Sequence, residues 1–320
     1  MVRLLKVLQD KNRTDMFILL GLLDVPYLQV ICFLMFLVMY MITLAGNLLL
    51  IIVVKINPAL QTPMYFFLSN LSFIDIFFSS TIVPKILINT LAEDKSISLL
   101  GCALQMYFSL ALGATECIIL AVMAYDRFAA ICRPLHYNTI MNMRLCITLA
   151  VGSWTACFIN SAIHVFITFQ LPYCKSHHIS HFFCEIPPFL QISCRDTRLN
   201  EIAMYVSAGI VVTMSFFLTL ISYIHIIATI FKIQSSQGRQ KAFSTCASHL
   251  TVVTLYYGTI MFMYLRPRSA YLPETDKTIS VLYTVVTPML NPFIYSVRNK
   301  DVKCTIKIKL DARKKSLGLK

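Results

Sequence analysis

Residues 123–137 read MAYDRFAAICRPLHY, and they close a mostly apolar run that begins at residue 99. Asp126 and Arg127 arrive side by side, followed by Arg133 and His136. A long apolar helix that ends in an acid–base pair and a basic loop is the pattern of a membrane span reaching the cytoplasm. An Asp–Arg pair at that boundary can also act as a switch, the Arg being held by its neighbour in one state and released to another partner in the next.

Outward from this stretch, composition sets the class. Hydrophobic residues make up 57% and charged residues 13% of 320, against roughly a quarter charged in soluble domains. Mean hydropathy is +0.70. A span of the hydrocarbon core needs about 20 apolar residues, and seven runs meet that length: 30–54, 64–87, 99–124, 145–171, 202–231, 242–264 and 279–295. The sequence predicts an all-α membrane protein, a seven-helix bundle at 30–297. It is preceded by an outer segment (1–29) without a signal peptide of usual form and followed by an inner tail (298–320).

The net charge of +13 does not point to nucleic acid. With the Asp126–Arg127 end placed inside, the short loops carry seven Lys/Arg inside and eight outside, and the tail adds nine. The tail therefore tips the orientation to N-terminus out and C-terminus in, with anionic lipid as its partner. Within it Val302, Ile306 and Leu310 fall at i, i+4, i+8 among lysines, which predicts a short amphipathic helix on the inner leaflet.

Polar residues inside spans are candidate functional groups. Asn47 must face other helices, and Pro288 and Pro292 predict a kink in the seventh span. Asp75 and Glu116 are carboxylates in lipid without a basic neighbour at their depth; a cation between them, surrounded by Asn47 and Asn291 oxygens, would relieve their repulsion. No cofactor is expected beyond such a sodium ion. Of 11 cysteines, Cys102, Cys174, Cys184 and Cys194 fall on the outer side, an even number in an oxidising compartment, with three pairings open. His177, His178 and His181 beside Cys184 are weak as a metal cluster and predict a loop that gains charge below about pH 6.5. Asn12 starts an N-x-T sequon on the outer segment and is the glycosylation candidate.

The segments GN at 46–47, PMYFFLSNLSFID at 63–75, MAYDRFAAICRPLHY, SY at 222–223, KAFSTCASHL at 241–250 and PMLNPFIYSVRN at 288–299 occur in order on successive spans. With them the chain resembles the odorant receptors, a branch of the rhodopsin-like G-protein-coupled receptors, and within them the tetrapod-type class. It departs from that pattern in Phe128 after the Asp–Arg pair and in Tyr256 where Phe usually stands.

The resemblance implies a plasma-membrane receptor that takes a small odorant among the outer halves of its helices and activates the olfactory stimulatory heterotrimeric G protein to raise cyclic AMP. It implies ligand contacts from Ser109, Leu110, Gly113, Ala114, Ser207, Met261, Tyr264, Val281 and Thr284. It gives switching and coupling roles to Asp126, Arg127, Tyr223, Arg239, His249, Tyr257, Asn291, Pro292 and Tyr295, with Asp126 expected to hold Arg127 and to reach Arg239. It pairs Cys102 with Cys184, leaving Cys174 to Cys194. The implied pocket offers hydroxyls and apolar groups, so a neutral odorant is expected, with Arg268 the one nearby cation. Against this stands an ion or proton transporter using Asp75 and Glu116, which would usually show internal repeats. A retinal pigment would need a lysine in the seventh run, which has none. No hydrolase constellation is evident around His164, His225 or His249, so the chain is not expected to be an enzyme.

Overall fold

The computed structural model describes residues 16–21, 26–174, 176–264 and 273–298. Asn12, Arg268 and the predicted tail helix lie outside them. Seven spans among the described residues are long and apolar enough to cross a membrane. They are α1 (Pro26–Ile56), α2 (Pro63–Leu91), α3 (Leu99–Cys132), α4 (Met143–Phe169), α5 (Arg198–Lys232), α6 (Ser236–Tyr264) and a composite seventh. The last begins as α7 (Pro273–Val281), passes through a π-helical turn (Leu282–Val286) and continues as α8 (Thr287–Arg298).

Their ends follow from local chemistry. Ser98 accepts the Gly101 amide at 3.1 Å and Asn142 accepts the Leu145 amide at 2.9 Å, so a short polar side chain caps α3 and another caps α4. Pro26, Pro63 and Pro273 occupy the first position of their helices, where a missing N–H costs nothing. The seventh span starts six residues before its apolar run, because Pro273, Asp276 and Lys277 form a polar first stretch that hydropathy alone passes over.

Helix α3 is central and packs against α2, α4, α5 and α6. Phe67, Leu71 and Ile74 of α2 meet Leu112, Ile119 and Met123 of α3 and Val252 of α6 in one buried cluster. Val38 and Leu49 of α1 and Ile210 and Met214 of α5 stay exposed; in a bilayer such side chains face lipid, which is as apolar as they are.

The GN pair at 46–47 has a clear physical use. A Cβ on Gly46 would come within 2.9 Å of the Pro292 ring, so only glycine lets α1 lie against α8. Pro292 has no N–H to give the carbonyl of residue 288, one turn earlier. Asn47 supplies the missing donor from the neighbouring helix, its Nδ2 standing 3.0 Å from the Pro288 oxygen.

The end of the bundle away from Asp126 carries a small sheet that hydropathy did not predict. Strand β1 (Met16–Leu19), in the segment read as an outer tail, runs antiparallel to β2 (Ser96–Ser98) and parallel to β3 (His178–Ile179). Alternation puts Phe17 and Leu19 inward, into a cluster with Ile179, Cys184 and Phe189. Residues 16–21 thus form part of a lid over the bundle.

Candidate functional site

Beneath that lid lies a cavity of about 90 Å³. One water needs about 10–15 Å³ on this measure, so the space suits a handful of waters or one small organic molecule. Ser109, Leu110, Gly113 and Ala114 of α3 and Ser207 of α5 line it. Three of the implied contacts from the sixth and seventh spans are not in this lining. Met261 and Val281 are half-buried against the main core, and Thr284 is buried with its hydroxyl on the Ser280 carbonyl. The Tyr264 side chain lies outside the described atoms. In their place α6 presents Tyr256 and Ile260, and the π turn presents Tyr283.

His164 and Glu185 are polar features of the cavity that the sequence left unassigned. On one wall His164 of α4 places Nε2 2.7 Å from Ser207 Oγ. At the roof Glu185 lines the cavity and accepts from the Tyr283 hydroxyl at 3.0 Å. Glu185 follows Cys184, and Cys102 and Cys184 are bonded, which ties this loop to the top of α3. Gln105 fastens the same point, accepting from the Cys184 amide at 2.9 Å while its Nε2 donates to the Thr81 carbonyl at 3.0 Å. At the floor Glu116 reaches the lining from below. There Tyr256 donates to the Gly113 carbonyl at 2.5 Å and Tyr257 to the Cys117 carbonyl at 2.9 Å. The acceptors are one turn apart on α3, so consecutive tyrosines stitch α6 to α3, and the first stitch exists because Tyr replaces Phe at 256.

The second disulfide joins Cys174 to Cys194. One of the three loop histidines, His181, departs from the expected titration. His181 is 1% exposed, and the Glu185 carboxylate stands 3.9 Å from its Nε2, beyond hydrogen-bond reach. Burial, and then the charge of Lys277, push its pKa down to about 3, so this ring stays neutral through mild acid. Among the described residues no three His, Cys, Asp or Glu side chains are grouped to hold a metal.

Deeper in the bundle, Asn291 donates to both oxygens of Asp75 at 3.1 and 3.0 Å. Glu116 lies within electrostatic reach of Asp75. Asn47 Oδ1, Glu116 Oε1 and Asn291 Oδ1 are buried oxygens without a donor among the described residues, and the Tyr295 hydroxyl is also unpartnered. His249 ties α6 to its neighbours, with Nδ1 2.7 Å from the Tyr223 hydroxyl and Nε2 3.1 Å from the Leu120 carbonyl.

At the end of the bundle opposite the lid Asp126 is fully buried. Its Oδ2 accepts from Arg127 Nη2 at 2.7 Å and Nε at 3.2 Å, and its Oδ1 accepts from the Tyr137 hydroxyl at 2.7 Å. Burial and the adjacent Asp126 charge raise the Tyr137 pKa well above the phenol range, so the hydroxyl remains a donor. The expected reach from Asp126 to Arg239 is absent. Both carboxylate oxygens are already engaged, and Arg239 is exposed near the start of α6 without an ion pair among the described residues.

A seven-helix bundle with a small-molecule cavity under a disulfide-pinned lid and a closed Asp–Arg pair at the other end defines a membrane receptor. The olfactory receptor family model matches residues 36–313. The chain is 52% identical to Olfactory receptor 5AP2 of Mus musculus over 309 residues, 96% of this chain and 98% of that one. It is 52% identical to Olfactory receptor-like protein OLF1 of Canis lupus familiaris over 304 residues, covering 95% and 96%, and to Olfactory receptor 5I1 of Homo sapiens over 296 residues, covering 92% and 94%. The chain belongs to the olfactory receptor family. It is a multi-pass plasma-membrane receptor for odorants that couples to a G protein; it is not an enzyme, and the transporter reading falls away.

Proposed function

We propose that the receptor responds to a small neutral odorant held between Ser109, Ser207–His164 and the roof, and that it then activates a stimulatory G protein and raises cyclic AMP, with its N-terminus outside and its C-terminus in the cytoplasm. The observation that carries the ligand class is the cavity's charge pattern. Among the described residues it has Glu185 at the roof, Glu116 at the floor and no cationic side chain in its lining. An anionic ligand would shed its hydration between two carboxylates with nothing to pair it. A neutral molecule avoids that cost, gains about 25 cal/mol per Å² of apolar surface buried, and is oriented by one or two hydroxyl contacts.

The test is a matched alcohol, aldehyde, ester and acid on one carbon skeleton, read as cyclic AMP. The alcohol is expected to be most potent, because it can both donate and accept, and the acid silent. Ser207→Ala should weaken the alcohol about two- to tenfold, the worth of one neutral hydrogen bond. A response confined to the acid would overturn this reading.

We also propose that Asp75 and Glu116 share a sodium ion with the oxygens of Asn47 and Asn291. The three donorless buried oxygens support it, since a cation satisfies acceptors that no N–H reaches. Glu116→Gln should change the salt dependence of basal signalling, and identical salt responses in variant and parent would refute the site.

A further inference from the structure

Hydroxyl protons in the odorant cavity are already committed to the protein. The Ser109 hydroxyl donates to the Met106 carbonyl at 3.2 Å. The Ser207 hydroxyl lies 3.2 Å from the Met204 carbonyl and 2.7 Å from His164 Nε2. A hydroxyl has one proton. With the imidazole proton on Nε2, that N–H donates to Ser207 and the serine proton goes to Met204. In the other tautomer the serine proton goes to His164. Either way Ser207 meets a ligand as an acceptor. Tyr256 donates to the Gly113 carbonyl and Tyr283 to Glu185. These walls accept hydrogen bonds from a ligand at several points and return few.

Asn160 is different. It lies well inside α4 and is the one amide side chain among the described residues of the lining. Ser161 and His164 near it are buried, whereas Ile159 and Ile163 are exposed. Asn47 of α1 and Asn70 of α2 each donate to the carbonyl one turn back, at 3.0 Å. The Asn160 amide makes no such bond, nor any other among the described residues. An amide at that depth without a partner is costly, and the space it borders is the cavity.

We propose that Asn160 is a specificity-determining residue and that the favoured odorant is an oxygenated alcohol. Its hydroxyl donates to Ser207, and a second oxygen, an ether or carbonyl about two or three carbons away, accepts from Asn160 Nδ2. The spacing follows from α4: Asn160 and His164 are four residues apart, which sets their Cβ atoms about 5–6 Å from each other, and His164 holds Ser207. A plain alcohol satisfies Ser207 and leaves the amide desolvated without a partner. The inference rests on the neutral-odorant reading above and narrows it.

The experiment compares 3-methoxy-1-butanol with 3-methyl-1-pentanol, which has CH2 in place of the ether oxygen, and with the methyl ether of the first, which has no O–H. Each is taken with its longer homologues, and cyclic AMP is read at matched surface expression. In the parent the methoxy-alcohol should be about two- to tenfold more potent than its CH2 isostere, the effect of one neutral hydrogen bond, and its methyl ether weaker than both. Asn160→Leu and Asn160→Ala should each bring the ratio of methoxy-alcohol to isostere to about one. A purely structural role for Asn160 would lower both alcohols together and keep the ratio. A ratio near one in the parent, a ratio that persists in both variants, or a methyl ether as potent as the methoxy-alcohol would overturn the inference and leave the neutral-odorant reading standing. Silence to every hydroxyl-bearing probe would overturn both.

Discussion

Replacing Cys184 by serine is expected to abolish the odorant response and to remove most receptor from the cell surface. The Cys102–Cys184 bond closes a stretch of 82 residues that includes all of α4, and on a chain-entropy estimate a loop of that length is worth about 4–5 kcal/mol. Both cysteines are buried, so the serine hydroxyl and the free Cys102 thiol left behind gain no water. The loss also reaches the ligand. Glu185 and Phe183 flank Cys184 and line the cavity, and the Cys184 amide is what Gln105 holds. The contrast is Cys194→Ser. Its bond to Cys174 spans 20 residues, worth about 3 kcal/mol on the same estimate, and neither cysteine lines the cavity. That variant should reach the surface in reduced amount while keeping the parent's half-maximal odorant concentration. Surface immunolabelling and dose–response curves separate the two effects. Parental potency and surface level in Cys184→Ser would show that Gln105 and the sheet hold the roof without the bond.

Much of this architecture is legible in the sequence because lipid imposes a blunt rule: each span needs about 20 apolar residues. Asp75, Asn47, Pro288 and Pro292 stand out for the same reason, as polar or helix-breaking residues where lipid tolerates few. Strand β1 is illegible because it has only four residues, and its partners lie some 80 and 160 positions away. The lid is a non-local object, and no window on the chain sees it.

The cavity is half legible for a related reason. Ser109, Leu110, Gly113, Ala114 and Ser207, on α3 and α5, fall in its lining, since those helices run regularly to their ends. On the seventh span the π-helical turn Leu282–Val286 adds a residue to one turn, and such an insertion rotates the face that follows. Tyr283 therefore reaches the cavity while Thr284 bonds back to Ser280. Glu185 is far in sequence from α3, and only the pairing of Cys184 with Cys102 says where it goes.

Asp126→Asn is expected to raise basal cyclic AMP several-fold at matched surface expression. Asp126 has no exposed surface, and its carboxylate takes two hydrogen bonds from Arg127 and one from Tyr137. Hydrogen bonds to a charged group contribute about 1.5–3 kcal/mol each, far more than an exposed ion pair at about 0–1 kcal/mol. Asparagine keeps the shape but loses the charge, and it leaves the Arg127 guanidinium, 13% exposed, without a counter-ion in the closed arrangement. Any state in which Arg127 turns away to another partner is spared that penalty, so the balance moves toward it. A shift of about 1.4 kcal/mol multiplies a minor population about tenfold. Tyr137→Phe removes one of the three bonds and keeps the charge pair, so it should raise basal signal by a smaller factor in the same direction. Arg239→Ala should leave basal signal at the parental level, because Arg239 makes no contact with Asp126. The order Asp126→Asn above Tyr137→Phe above Arg239→Ala is the discriminating result. If Arg239→Ala matched Asp126→Asn while Tyr137→Phe was silent, the lock would run through α6 after all, and the loop tyrosine would be a passenger.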